Sequence, residues 1–390
     1  MTQAQTQFIE LLRSGLWGTP AGTSLFQGEV DWKSILRTAK EQTVQVIVAD
    51  GIETLPAEIW PPKELMFKLM AIRIKTKQMH LRLNSALIKI TQTLQQAGIP
   101  STLLKGQGVA HNYRLPESRM CGDIDLYVGK ENFEKASDVI CTLNPTQTKE
   151  EIEDNALHRH FDIDDVTLEL HQKASSSANK RQSRLFDAWT KANLDSHFSD
   201  STLPVIDFAQ TPAQTPDCHP TSAPVQTPSA NYNAVFILHH AARHMITEGI
   251  GLRQICDWTM FLDKHHAAID QEQLKADLSK FHMEAIWKEF GILAVNLLGL
   301  DPQHLPLAPA QLTSNKTEKI LEQILAYGNF GQYDKKGRSS KETNLLKRKW
   351  RSLWVQTRHF RKNARLFPRF TLSYAAGWYP DALSRLLRRK

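Results

Sequence analysis

Apolar residues recur every three or four positions through most of this chain, which is the spacing that places them on one face of a helix. The pattern runs through residues 5–98 and ends at Gly98 and Pro100, two residue types that stop helices. It resumes at Tyr232 and continues towards residue 300. We therefore expect a helical layer in the N-terminal region and a helical bundle in the C-terminal half.

A period of two replaces this spacing in the middle of the chain. Polar and apolar residues alternate in GDIDLYV at 122–128 and again in VTLELH at 166–171, as they do in strands with one buried face. HRHFDIDD at 158–165 should form an antiparallel hairpin with VTLELH, turning at Asp164 and Asp165. The predicted fold class is α+β, with a small mixed sheet flanked by helices.

Composition marks the domain boundaries. The run DFAQTPAQTPDCHPTSAPVQTPSAN at 207–231 is rich in proline, threonine and alanine and cannot form a packed core, so it predicts a flexible linker or a surface insertion. The expected organisation is an N-terminal helical region at 1–98, a catalytic α/β unit at 99–206, the linker at 207–231, a helical bundle at 232–334 and a basic amphipathic tail at 335–390.

Two carboxylates project side by side from the GDIDLYV strand. Asp123 and Asp125 lie two residues apart and so share a face. Paired anions repel each other unless a divalent cation lies between them, and Mg²⁺ is the first expectation, with Mn²⁺ as the alternative. If VTLELH is a neighbouring strand, Glu169 stands beside the pair. It is then either a third metal ligand or the base that takes a proton from an incoming hydroxyl.

A candidate phosphate-binding turn precedes these acids. PSTLLKG predicts a short buried strand that ends at Gly106, and QGVAHNYR at 107–114 predicts a helical segment. Backbone N–H groups at such a turn favour an anion, and Lys105 adds a positive charge. Arg119, four residues before Asp123, either reaches the phosphates as well or is a surface arginine in a loop.

Together, LLKG, the arginine, GDIDLYV and LELH resemble the polymerase-beta-type nucleotidyltransferase superfamily. Within it, the series is similar to an uncharacterised bacterial nucleotidyltransferase family often found near surface-polysaccharide genes. The resemblance extends more weakly to ILHHAARHM, LRQICDW and GNFG, and so covers about residues 80–335. The superfamily usually has Gly-Ser in the phosphate turn, where this chain has Lys105, Gly106 and Gln107.

The resemblance implies a metal-dependent enzyme that transfers a nucleoside monophosphate from a nucleoside triphosphate to an acceptor and releases pyrophosphate. It implies that Asp123 and Asp125 hold the metal, with Glu169 as a ligand or as the base. The residues that it places on the triphosphate are Lys105, Gly106, Gln107 and Arg119. The acceptor is open: a small sugar or polysaccharide precursor, an antibiotic, an RNA end or a protein side chain.

Two other functions fit part of the pattern. A glycosyltransferase also uses Asp-x-Asp to hold a metal and a nucleotide sugar, but it leaves the Lys-Gly turn and Glu169 unexplained. A non-catalytic nucleotide sensor or scaffold would explain the missing serine of the turn. Such a protein has no physical need to keep the acids together.

Histidines and arginines near these motifs offer further ligands. His158, His160 and His171 could bind zinc across neighbouring strands, although three nearby acids favour a hard cation with oxygen ligands. His171 beside Glu169 is also a candidate substrate-cleft residue.

Downstream, a predicted helix carries His240, Arg243 and His244, which either line the same cleft or pack in the core. Arg253 and Asp257, four residues apart, predict an ion pair within the next helix.

Charge is unevenly distributed along the chain. The net charge is +7, but the tail from residue 335 contains 17 Lys and Arg against Glu342 and Asp381, so the first 334 residues are net acidic. A basic amphipathic helix in the tail either binds an anionic membrane surface or RNA, or packs its apolar stripe on the preceding bundle. That stripe consists of Leu346, Trp350, Leu353, Trp354, Phe360 and Phe367.

The remaining composition is ordinary for a globular protein, with 41% hydrophobic and 23% charged residues. The first residues lack the basic and apolar segments of a signal peptide, and no run of 18 apolar residues predicts a transmembrane helix. Four widely spaced cysteines predict thiols without disulfides. We expect a cytoplasmic protein whose tail can contact the inner face of the membrane.

Overall fold

The computed structural model describes residues 1–153, 156–175, 177, 179–198, 202–208, 224–333 and 345–387. The chain forms two compact units. The helical unit comprises Met1–Arg73, Asn112–Met120 and Ala234–Lys390, and the sheet unit comprises Ile74–His111 and Cys121–Asn233. The division into five segments at the boundaries given above stays a prediction.

The N-terminal region is helical, as its apolar spacing predicts. Thr2 and Gln5 form a capping box at the start of the first helix, and Gly18 ends that helix in the left-handed conformation. The fourth helix is the long one and continues from the helical unit into the sheet unit. The bounds are α1 Gln3–Trp17, α2 Trp32–Glu41, α3 Gln45–Ile52 and α4 Lys63–Gln96.

Strands and helices then alternate through the sheet unit. The bounds are β1 Thr102–Leu103, α5 Gln107–Ala110, β2 Asp123–Tyr127, α6 Gly129–Cys141, β3 Gln147–Glu153, β4 Ala156–Ile163, β5 Val166–His171, α7 Lys180–Asn193, β6 Val205–Asp207 and β7 Pro224–Gln226. Helices follow to the end of the described chain. Their bounds are α8 Ala230–Thr247, α9 Leu252–His265, α10 Gln271–Lys280, α11 Glu284–Asn296, α12 Asn315–Tyr327, α13 Leu345–Leu366 and α14 Pro368–Leu387.

Five strands form one mixed sheet in the order β1-β2-β5-β4-β3. β2 and β5 are parallel, and the other neighbours are antiparallel. The predicted hairpin of β4 and β5 is confirmed, with Asp164 at φ 51° and Asp165 at φ 61° in its turn. Two left-handed residues match the twist of a two-residue hairpin loop, and aspartate tolerates that conformation. The predicted α+β class is also confirmed.

The apolar residues of the alternating strands form the core of the sheet unit. Ile124 and Leu126 of β2 and Leu168 and Leu170 of β5 are fully buried. They share one hydrophobic cluster with apolar side chains of α4 and α6. Because successive residues of a strand face opposite sides, burial of this face presents the acidic residues of the same strands on the other.

Some elements differ from the sequence-based expectation. β3 lies at the edge of the sheet. The sequence did not predict this strand, because QTKEEIE lacks an alternation of apolar and polar residues. The helix after the phosphate turn is only four residues long. The predicted linker at 207–231 is not irregular throughout, because β7 lies within it and pairs with β6, which ends at Asp207, and α8 begins at Ala230 rather than at Tyr232. Linker residues 209–223 lie outside the described part of the chain.

The C-terminal helices of the helical unit divide the predicted apolar stripe into two parts. Phe360 and Phe367 are buried, with 4% and 2% of their surface exposed, whereas Trp350 and Trp354 are 61% and 56% exposed. The Leu346 side chain lies outside the described residues. Among the described helices, none has both the length and the apolarity that crossing a bilayer requires.

Candidate active site

The register of the sheet brings the predicted acids together. β2 pairs with β5 so that Asp125 lies opposite Glu169, and Tyr127 lies opposite His171. Asp123 lies at the start of β2, opposite Thr167. Side chains of directly opposed residues lie on the same face of a sheet. The expectation that Glu169 stands beside the aspartates is therefore confirmed as a matter of strand pairing.

Asp125 is at the centre of this cluster and is only 3% exposed. The Lys105 amine lies 2.8 Å from its Oδ1. Nε2 of His171 donates to the same Oδ1 at 3.2 Å and lies 3.4 Å from Oε2 of Glu169. The structure thus brings Lys105 and His171 to the acids, whereas the sequence predicted a phosphate contact for Lys105 and a position beside Glu169 for His171.

Burial and charge act in opposite directions on these groups. Burial alone would raise the pKa of the Asp125 carboxyl, but the Lys105 amine and the hydrogen bond from His171 hold that pKa well below its usual range. Burial also disfavours the charge of Lys105, yet the attraction of Asp125, Asp123 and Glu169 raises its pKa. Lys105 therefore stays positively charged among three carboxylates.

The same opposition governs the other two groups. Burial and the charge of Asp125 raise the pKa of the Glu169 carboxyl, but the hydrogen bond from His171 and the charges of His171 and Lys105 together outweigh them, so that the pKa is lowered. Burial lowers the pKa of His171, and its hydrogen bonds to Asp125 and Glu169 more than compensate, so that the pKa is raised. The acids hold negative charge and draw cations towards them.

The donor atoms of this cluster fit a divalent cation. A carboxylate oxygen of Asp125, a carboxylate oxygen of Glu169 and a ring nitrogen of His171 lie within 4.8 Å of one another. Asp123 adds a second carboxylate to β2 on the same face. Carboxylate oxygens are the ligands that Mg²⁺ and Mn²⁺ prefer. The Lys105 amine, 2.8 Å from Oδ1 of Asp125, supplies one positive charge to this cluster.

The predicted phosphate turn has a backbone that only glycine adopts easily. Gly106 has φ 56° and ψ −118°, and a Cβ at this position would lie 3.1 Å from the carbonyl oxygen of Asp123. Gln107 is 2% exposed, and its amide donates to Oδ1 of Asn84 at 2.5 Å and to Nδ1 of His80 at 3.1 Å. These two hydrogen bonds of the Gln107 side chain hold the turn against α4.

Sequence reasoning missed this anchor on α4. His80 and Asn84 lie four residues apart on a helix in which no chemistry stood out. The signal available in the sequence was two polar side chains at helical spacing within an apolar stretch, which gives no hint of the partner.

Arg119 belongs to the helical unit and is 6% exposed, so the alternative of a surface arginine is wrong. Its Nε donates to Oδ1 of Asp257 at 2.6 Å and its Nη2 donates to Oδ2 at 2.8 Å. The Tyr113 hydroxyl donates to Oδ1 of Asp257 at 2.7 Å. The guanidinium is thus held in a bidentate buried pair, and its contact with phosphate stays a prediction.

Asp257 does not form the predicted ion pair with Arg253. Nη1 of Arg253 instead donates to the carbonyl oxygen of Met120 at 2.8 Å. Burial raises the pKa of the Asp257 carboxyl, and the charge and hydrogen bonds of Arg119 lower it by more, so the net pKa is lowered. The residues that pair with Asp257 are 138 and 144 positions away, a separation that no local spacing reveals.

His240, Arg243 and His244 lie together on α8 in the helical unit. The rings of His240 and His244 are 4.5 Å apart, and Nη2 of Arg243 donates to Nε2 of His244 at 3.4 Å. His244 also contacts Phe330 of the GNFG segment, with ring centroids 4.9 Å apart. The three residues form a cluster, and their role towards a substrate stays a prediction.

Comparison with known families gives one match. A sequence model described as an uncharacterised nucleotidyltransferase matches residues 28–299, which is well over half of the chain. The matched range contains every candidate site residue named above. No similar curated protein and no similar solved structure was found.

Proposed function

Because the chain belongs to an uncharacterised nucleotidyltransferase family, we propose that it transfers a nucleoside monophosphate from a nucleoside triphosphate to an acceptor and releases pyrophosphate. The observation that carries the proposal is the pairing of Asp125 with Glu169 across two parallel strands, with Asp123 on the same face. This arrangement concentrates negative charge at one place on the sheet, which is what a cation-dependent transfer requires.

In this proposal, Asp123 and Asp125 hold Mg²⁺ or Mn²⁺, and His171 fixes the orientation of Asp125 through its hydrogen bond. When bound, the cation neutralises phosphate charge and stabilises the charge that develops on the attacking and leaving oxygens. Lys105 leaves Asp125 and pairs with a phosphate oxygen of the nucleotide. The N–H groups of the Gly106 turn face the same phosphates.

The transfer itself exchanges one phosphorus–oxygen bond for another. The acceptor oxygen forms a bond to the α-phosphorus, while the bond from the α-phosphorus to the α,β-bridging oxygen breaks. The electron pair of the broken bond leaves on pyrophosphate, and the acceptor proton passes to Oε2 of Glu169. Positioning and charge neutralisation supply most of the rate in reactions of this kind.

The acceptor in this proposal is a hydroxyl or phosphate group. A sugar or a polysaccharide precursor is the first class to test, because the resemblance points to surface-polysaccharide genes. Purine and pyrimidine pockets leave no signature in the sequence, so all four nucleoside triphosphates are compared.

The test is a labelling assay. Full-length protein is incubated with each α-labelled nucleoside triphosphate, Mg²⁺ or Mn²⁺ and a small-metabolite extract, and both pyrophosphate and labelled product are measured. Asp123→Asn is the inactive variant, and Asp164→Asn is the matched control. Asp164 is an exposed carboxylate in the β4–β5 turn with positive φ, a conformation that asparagine also tolerates.

We expect a labelled product from the wild type and from Asp164→Asn, and none from Asp123→Asn. Wild-type turnover by Asp123→Asn would refute the role of the acids. Sugar transfer from a nucleotide sugar, with no nucleotidyl transfer, would favour a glycosyltransferase. Metal-dependent nucleotide binding without turnover on any acceptor would favour a nucleotide sensor.

We further propose that α13 docks the protein to an anionic membrane surface. Trp350 and Trp354 are exposed one helical turn apart, and the Arg358 guanidinium lies over the Trp354 ring at 5.6 Å. Residues 345–387 contain ten Lys and Arg against one acid, Asp381. Exposed tryptophan combined with positive charge suits the interface of an anionic bilayer.

Sedimentation with vesicles tests this docking. We expect binding to vesicles that contain phosphatidylglycerol, little binding to phosphatidylcholine alone, and about tenfold weaker binding by Trp350→Ser/Trp354→Ser. Trp60→Ser, which removes a tryptophan that is 37% exposed outside the tail, is the control and should bind normally. Binding to RNA that the tryptophan substitutions leave unchanged, without vesicle binding, would contradict the proposal.

A further inference from the structure

Two histidines of β4 lie on the acidic face of the sheet next to the candidate active site. β4 pairs with β5 so that His160 lies opposite Glu169 and His158 lies opposite His171. β5 pairs on its other side with β2, where Asp125 lies opposite Glu169. Glu169 therefore stands in the middle of a row across three strands, with an aspartate on one side and a histidine on the other.

The two carboxylate oxygens of Glu169 serve different sides of this row. Oε2 lies 3.4 Å from Nε2 of His171, on the side of the Asp125 cluster. Oε1 lies 3.8 Å from Nε2 of His160. The side chains of His160 and Glu169 are 22% and 23% exposed, so both are shielded but reachable from solvent. One carboxylate can thus contribute an oxygen to each of two neighbouring sites.

The imidazole side of the row is compact enough to bind a metal. The rings of His158 and His160 are 4.9 Å apart. Ligand atoms of His158, His160 and Glu169 all lie within 4.8 Å of one another. Ligand atoms about 2.1 Å from a tetrahedral Zn²⁺ lie about 3.4 Å apart, so side-chain shifts of about 1 Å would close the site.

The chemistry of these donors differs from that of the Asp125 cluster. Two imidazole nitrogens and one carboxylate oxygen suit a borderline transition metal such as Zn²⁺ or Co²⁺. The Asp125 cluster is dominated by carboxylate oxygens, which suit Mg²⁺. Three protein ligands leave at least one position of a four-coordinate ion for water or a substrate oxygen.

We propose that His158, His160 and Oε1 of Glu169 form a second metal site, selective for a divalent transition metal, beside the carboxylate site. Its occupancy fixes the rotamer of Glu169 and so aims Oε2 at the acceptor. That consequence rests on the proposed nucleotidyl transfer. Metal binding at the site does not require it and is tested without nucleotide.

Co²⁺ is the probe, because its visible absorption reports the number and type of its ligands. Metal-free full-length protein is titrated with Co²⁺ in the presence of excess Mg²⁺, which occupies the carboxylate site. We expect one Co²⁺ per chain with an intense four- or five-coordinate spectrum, and stoichiometric displacement by Zn²⁺. His158→Gln and His160→Gln should each weaken Co²⁺ binding by at least about tenfold.

Two controls separate this site from its neighbours. His197→Gln removes a histidine of the sheet unit that pairs with Thr202, and it should bind Co²⁺ as the wild type does. Asp123→Asn removes a carboxylate of the first site and should also leave the Co²⁺ spectrum unchanged. Circular dichroism and thermal unfolding of each metal-free variant establish that it is folded.

Three results would overturn the proposal. The first is a six-coordinate Co²⁺ spectrum with no strong visible band. The second is Co²⁺ binding that Asp123→Asn abolishes and the histidine substitutions leave intact, since the ion would then occupy the carboxylate site. The third is tight binding that survives His158→Gln/His160→Gln. Each is independent of the labelling assay, so failure of either proposal is recognised separately.

Discussion

The two units each bury a carboxylate beside a cation, but the two clusters are balanced differently. In the helical unit, Arg119 donates to both oxygens of Asp257 and Tyr113 donates to one of them. In this pair, the positive charge of one arginine balances the negative charge of one aspartate. In the sheet unit, three carboxylates attract the single Lys105 amine, namely those of Asp125, Asp123 and Glu169.

We interpret this difference as one between a structural cluster and the proposed binding cluster. A buried pair whose hydrogen bonds are satisfied within the protein needs no ligand, and removing one partner leaves an uncompensated charge. A cluster with excess negative charge is relieved when a divalent cation binds. The sheet unit therefore holds the candidate chemistry, and the Arg119 pair holds residues 112–120 to α9.

The sharpest test of this comparison is Asp125→Asn. We expect activity in the labelling assay to fall on the order of a thousandfold, because an anionic ligand and the partner of Lys105 are lost together. The free energy of unfolding, measured by urea denaturation, should also fall, because Lys105 and the hydrogen bond from His171 hold the pKa of Asp125 low and so stabilise its ionised form in the folded chain. A large loss of stability with retained activity would reverse the two roles.

The next test is Arg119→Met, which leaves Asp257 buried without its guanidinium. We expect the free energy of unfolding to fall by about 3 kcal/mol or more, as for other broken buried pairs. Lys89→Met is the control, because Lys89 pairs with Asp164 in an exposed bridge, and it should lower stability by less than about 1 kcal/mol. An Arg119→Met variant of normal stability with weakened nucleotide binding would restore the predicted phosphate contact.

Each unit also contains a histidine with a shifted pKa, and the two shifts have opposite directions. Hydrogen bonds to carboxylates raise the pKa of His171, whereas burial and the neighbouring Arg243 lower the pKa of His239 to about 3. Below about pH 6.5 the unfolded chain protonates at this position and the folded chain does not, so stability falls as pH decreases. Between pH 7 and pH 5 the loss due to His239 is about 1 to 2 kcal/mol.

Urea unfolding of the wild type and of His239→Gln at pH 7 and pH 5 measures this contribution. The variant should show a smaller loss of stability between the two pH values, by about the same 1 to 2 kcal/mol. Equal losses in the two proteins would mean that His239 is not kept neutral by its surroundings.

The smallest effect is expected from a substitution of Gly106, in the turn that follows Lys105. Gly106→Ala places a Cβ at positive φ, 3.1 Å from the carbonyl oxygen of Asp123, and should lower stability by about 1 to 2 kcal/mol. It should also weaken nucleotide binding, measured by calorimetry. Gly122→Ala is the matched control, because its added Cβ meets no atom within 4 Å. Equal effects of both substitutions would remove the special role of the turn.

Local patterns were sufficient to predict several features of this protein. The alternation in GDIDLYV and VTLELH predicted two strands with acids on one face, and both strands are present. The turn at Asp164 and Asp165 was evident because hairpin turns depend on neighbouring residues. The family resemblance rested on the same motifs, and the family match includes them.

Only the tertiary structure decided which groups meet. Nothing local indicated that Asp257 pairs with Arg119, that Gln107 is fastened to α4, or that Lys105 lies on Asp125. These contacts depend on how apolar faces pack between segments far apart in sequence. The period of a strand determines which face a side chain occupies, whereas the strand order and register determine what lies beside it. Glu169 illustrates both: its face followed from the sequence, and its two neighbours, Asp125 and His160, followed from the sheet.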